Sequence, residues 1–200
     1  MPNPYPKDSI WIGDRYSDPT NELRGALILG ESTYDEPPPE DPQWIRYFIE
    51  KKAIKRDDID KSFSRLFWIM AEPFQNDFMT SGELYDRASS AELERWFNRF
   101  AFYNYVAKSI GSTNAGVTDP QLDAARQPFS QALQVIKPTG VWIIGQRQVE
   151  YSEEIIKQYG IKSSDREIMI PHVSRVSNVE GPASWLRFKA IMRRINRYVD

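Results

Sequence analysis

This 200-residue chain has no cysteine and a single histidine, His172. Without thiols it can form no disulfide, cysteine nucleophile, thiolate zinc site or cysteine-ligated iron–sulfur cluster. Long apolar runs are missing too. No stretch approaches the roughly 20 residues of a membrane span and no signal-peptide pattern is present, so a cytoplasmic protein with no membrane partner is expected. Neither sign of charge is in excess. Lys and Arg number 26 against 28 Asp and Glu, a net charge of −2, so any contact with nucleic acid must come from a local patch rather than a global field. A Gly-rich phosphate loop is also absent. Gly30 is not followed by the rest of a Walker motif, which argues against nucleotide hydrolysis.

What is present suits one globular domain, residues 1–200. Its hydrophobic content is 40% and its charged content 27%, enough to bury a sizeable core. Six Trp, ten Tyr and ten Phe either enlarge that core or offer stacking surfaces for bases and sugars. Residues 1–24, rich in Pro, Asp and aromatics, read as an arm packed on a core of residues 25–200. Four short apolar runs predict strands at 26–30, 101–106, 141–145 and 167–171. The third, Val141-Trp142-Ile143-Ile144, is continuous, as in a sheet covered on both faces. Helical patterns fall at 43–54, at 59–71 with Asp58 or Asp60 as its cap, after Ser90, and at 119–136, 148–159 and 183–198. Pro128 should kink or divide the helix at 119–136. Residues 35–42, with four prolines, can be neither helix nor inner strand. Strands alternating with helices predict an α/β fold: a three-layer α/β/α sandwich around a four-stranded, mainly parallel sheet.

In such sheets ligands bind beyond the carboxyl ends of the strands. Three of these ends carry polar clusters. The first strand runs into Gly30-Glu31-Ser32-Thr33-Tyr34, with Gly30 permitting a sharp turn. The second runs into Asn104, and the last into His172-Val173-Ser174. One shared pocket is expected there.

The order and spacing of these clusters resemble the uracil-DNA glycosylase superfamily. Its members carry a Gly-x-x-Pro-Tyr or Gly-Glu-x-Pro-Gly motif after the first strand, an Asn after the second and His-Pro-Ser after the fourth. Val135-Ile136-Lys137-Pro138, before the third strand, adds to a likeness that spans about residues 26–190. The chain departs from the pattern where Ser32 stands at the usual water-activating Asp or Asn, and where Thr33 and Val173 replace proline. The resemblance implies a glycosylase-like α/β/α core acting as a monofunctional DNA glycosylase. Such an enzyme hydrolyses the N-glycosidic bond of a flipped-out base and leaves an abasic site, as a monomer with DNA as partner and with neither cofactor nor metal. The base expected is a damaged or modified one, uracil or a modified pyrimidine such as glucosylated hydroxymethylcytosine in phage DNA, and the departures lean slightly away from uracil.

Residue types fit roles in that chemistry. Bond cleavage builds negative charge on the base and positive charge on the sugar, so His172 is the candidate to stabilise the leaving base. Glu31, ahead of Asp35, is the candidate to position water or stabilise the sugar cation. Asn104 can read a base edge with two hydrogen bonds. Tyr34 would set pocket width, Ser32 lies beside the base, and Trp44, Phe48 or Phe74 would stack on it. Ser174, Arg175 and Val176 lie where the family carries the wedge that replaces an extruded base. Arg187 leads a row of cations on the last helix, with Lys189, Arg193, Arg194 and Arg197, that could meet phosphates. Two other readings compete. One is a non-catalytic module of the same fold that binds modified nucleic acid. The other is an SGNH-type serine hydrolase using Ser32, Asn104 and His172, in which Met169 stands where an orienting Asp belongs.

Overall fold

The computed structural model describes residues 9–32, 49–50, 54, 66–67, 69–70, 88–107, 116–169 and 180–197. Among them an α/β fold is built on a five-stranded mixed sheet. The strands are β1 (Trp11–Ile12), β2 (Ala26–Gly30), β3 (Ala101–Asn104), β4 (Gly140–Ile144) and β5 (Arg166–Met169), in the spatial order β1-β3-β2-β4-β5. The four expected strands are present and mutually parallel. The fifth, β1, comes from the segment read as an arm. It pairs antiparallel with β3, Trp11 opposite Phe102 and Ile12 opposite Ala101, and so covers that edge of the sheet.

Side chains alternate along each strand and feed two separate cores. Ala26, Ile28, Phe102, Trp142 and Ile144 belong to one core, and Leu27, Leu29, Tyr103, Val141 and Ile143 to the other. The first is covered by α1 (Ser90–Phe97) and α5 (Glu180–Asn196), through Leu93, Phe97, Trp185, Phe188 and Met192. Leu66, Phe67, Ile69 and Met70, all helical, join it from the region predicted as the helix at 59–71. Trp142 sits at its centre, with ring centroids 5.1 Å from Trp185 and 6.0 Å from Phe188. The second core is covered by α2 (Asp119–Ala124), α3 (Arg126–Ile136) and α4 (Val149–Tyr159). No helix among the described residues is long and apolar enough to cross a membrane.

The helix ends follow local chemistry. Ser89 caps α1: its hydroxyl accepts from the Glu92 backbone N–H at 3.2 Å, and the Glu92 carboxylate accepts from the Ser89 N–H at 2.7 Å. The helix thus starts one residue earlier than expected, at Ser90, because only Ser89 has a glutamate three positions on to complete the cap. Pro128 divides its helix, but the break falls at Ala125. Pro128 then occupies the first turn of α3, where a missing N–H and a crowded preceding carbonyl do least harm. Gly160, at φ 105°, ends α4 as a left-handed cap.

The segment before β2 is tied down by charge. Glu22 accepts from Arg99 at 2.7 Å and from Arg193 at 3.0 Å, and lies 3.8 Å from the buried ammonium of Lys189. Burial opposes ionisation of Glu22. The hydrogen bonds from Arg99 and Arg193, with the nearby positive charges of Lys189 and Arg99, outweigh it and hold its pKa below the usual glutamate value.

Candidate functional site

The chain passes from β2 outward to β3, then crosses back over β2 to reach β4 and β5. The connection from β2 runs toward β3 and that from β4 toward β5, in opposite directions, so the carboxyl ends of β2 and β4 flank the kind of switch point at which doubly wound sheets bind ligands. Glu31 and Ser32 follow β2 directly, Asn104 ends β3 next to it, and the turn Gly145–Gln148 follows β4. The structure thus brings Glu31, Ser32 and Asn104 to adjacent strand ends, as the shared pocket requires.

Hydrogen bonds past the regular strands hold these ends. The N–H groups of Tyr105 and Val106 donate to the carbonyls of Gly30 and Glu31, each at 2.9 Å, and the Gly145 N–H donates to Met169 at 2.8 Å. Gly30 has a different use from the one its sequence suggests. It is extended rather than left-handed, and a Cβ there would collide with Asn104 Oδ1. The missing side chain makes room for the Asn104 amide, whose residue is 7% exposed. Gly145, by contrast, does need its conformation, with φ at 102°.

Glu31 is only 7% exposed, and no protein donor among the described residues reaches its Oε1, which is fully buried. Gln148, missed in the sequence because it opens α4 from a polar turn, is completely buried. Its Nε2 donates to the Ile144 carbonyl at 2.6 Å, and its Oε1 also lacks a donor among the described residues. Both side chains face Gly145: a Cβ placed there would lie 3.4 Å from the Gln148 amide oxygen and 3.7 Å from Glu31 Oε2. The signal that points to Gln148 is its place three residues beyond a strand-ending glycine at the switch point. It becomes readable only once strand order is known.

Arg187 lies away from these ends. Its guanidinium meets Glu167 on β5 at 2.7 Å, and Glu167 also accepts from Ser184, which accepts from Trp142 Nε1. Arg193 and Lys189 turn to Glu22, and Arg194 to Asp165 at 2.6 Å. The acids that neutralise the row come from outside the helix, which its own sequence could not show. A cavity of about 400 Å³ lined by Arg15, Glu22, Arg95, Trp96 and Arg99 lies before β2 and β3, at the opposite end of the sheet from Glu31. Among the described residues no group of three or more His, Asp or Glu side chains is placed to hold a metal ion. His172, Tyr34, Asp35, Ser174, Arg175 and Val176, and the stacking candidates Trp44, Phe48 and Phe74, lie outside the described residues. Comparison of the chain with family models, with curated proteins and with solved structures gives no match.

Proposed function

We propose that this chain is a monofunctional DNA glycosylase on a three-layer α/β/α sandwich of the uracil-DNA glycosylase kind, acting on a modified base. The observation that carries the reading is the buried carboxylate of Glu31 at the β2–β4 switch point, with Asn104 on the neighbouring strand end. A carboxylate oxygen without a protein donor can take a proton from water, and an amide held over a glycine can read the edge of an extruded base. Helices on both faces of the sheet and polar groups gathered at the carboxyl ends of β2, β3 and β4 agree with that architecture. In this scheme Glu31 serves the water and Asn104 the base, and His172 is assigned to the departing base by motif.

The test is base release from DNAs containing uracil, hypoxanthine, 5-hydroxymethylcytosine or its glucosylated form, with mass spectrometry of the freed base and alkaline cleavage at the abasic site. One base should be released. Glu31→Gln and His172→Ala should each lower the single-turnover rate by about a hundredfold or more, and Ser32→Ala should retain most of it. Loss on Ser32→Ala alone would indicate a serine hydrolase instead. DNA binding without release from any substrate would indicate the non-catalytic module.

A further inference from the structure

The amide of Gln148 has its orientation dictated by its surroundings. With Nε2 2.6 Å from the Ile144 carbonyl, the flipped amide would press two oxygens together, so the NH₂ must face Ile144 and Oε1 must face away. That oxygen and Glu31 Oε1 are both buried acceptors without a donor among the described residues. Leaving either unsatisfied would destabilise the fold. The two side chains come together beside Gly145, where no Cβ stands, the nearest atoms being Glu31 Oε2 and the Gln148 amide; the carboxylate and the amide oxygen can both only accept. A buried carboxylate and a buried amide oxygen that both approach Gly145 are best satisfied together by a molecule with two donors.

We infer that Glu31 and Gln148 together hold one water molecule, which donates a hydrogen to each side chain and leaves a lone pair for the substrate. Gln148 is then a positioning residue: it fixes the water's orientation, and Glu31 takes its proton. This deepens the proposed function and rests on it for the chemical step. The water oxygen bonds to the anomeric carbon, the bond from that carbon to the base nitrogen breaks, and its electron pair leaves with the base. The water's proton passes to Glu31 and then to the departing base, giving free base and a sugar hydroxyl. A carboxylate alone would hold the water by one hydrogen and leave it free to rotate. The second acceptor removes that freedom before the substrate arrives.

Crystal structures of the full chain and of Gln148→Met, similar in length but lacking the amide, test the site without reference to activity. An ordered water within hydrogen-bond reach of Glu31 and of Gln148 Oε1, lost or displaced in the variant, is the expected result. Direct contact between the two side chains with no water, or a water indifferent to the substitution, would overturn the inference. Single-turnover base release and DNA affinity, measured on the same DNA, test the role. Gln148→Met should slow release about tenfold to a hundredfold with affinity nearly unchanged, while loss of the Ile144 hydrogen bond lowers the melting temperature. Equal losses in affinity and rate, or no loss in rate, would overturn the positioning role. If the water is found but no DNA releases a base, the glycosylase reading fails while the two-acceptor site stands.

Discussion

Gly30 shows how much one residue can carry at this site. A methyl group there meets the Asn104 amide, so Gly30→Ala should displace Asn104 while the β2 backbone, already extended, stays in place. Base release should fall about a hundredfold, as small misplacements of a positioned group can do, with circular dichroism unchanged. An alanine variant at wild-type rate would show that Asn104 does not touch the base. The need for glycine was legible in the sequence, but its reason was not, because the Asn104 contact joins residues 74 positions apart through strand pairing. Glu31, Ser32 and Asn104 were legible because each follows or ends an apolar run. Gln148 was not, since a glutamine opening a helix resembles any solvated polar residue until the strand order sets β4 beside β2.

At the scale of elements, β2 and β4 were legible in their continuous apolar runs, which reflect burial on both faces. β1 was not: two residues in a Pro- and Asp-rich segment have no period to read, and the strand exists only through its partner β3. Its anchor is Trp11, buried, with Nε1 donating to the Phe97 carbonyl at 2.8 Å. Trp11→Ala should cost about 3–5 kcal/mol in chemical denaturation, the range for truncating a large buried aromatic. A smaller loss would mean that β1 docks weakly. Ser89→Ala removes the cap of α1 and should cost about 1 kcal/mol in the same assay. Ser90→Ala should cost little, because Ser90 lies inside the helix.

For the molecule as a whole, Glu22 couples stability to pH. Its folded pKa lies below the ordinary glutamate value, so its contribution is fully present above about pH 5 and is lost as pH falls through the folded pKa. Melting temperature should therefore drop on acidification below about pH 5. Glu22→Gln should melt lower than wild type near neutral pH, and the difference should narrow at acid pH. Curves that stay parallel across that range would show that Glu22 is not the coupled group. High salt should blunt the difference only in part, because Lys189 is buried and Arg99 mostly so.

The links between residues 22–24 and α5 also set when folding can finish. Glu22 accepts from Arg193, and the backbone carbonyls of Glu22 and Arg24 accept from the Asn196 amide, partners more than 170 positions later. On the ribosome, Glu22 emerges long before its last cations do, and the face of the sheet holding Trp142 stays only partly covered until Trp185 and Phe188 arrive. A nascent chain stalled between β5 and α5 would display that aromatic face to the cytosol, as a client for a chaperone rather than a folded domain.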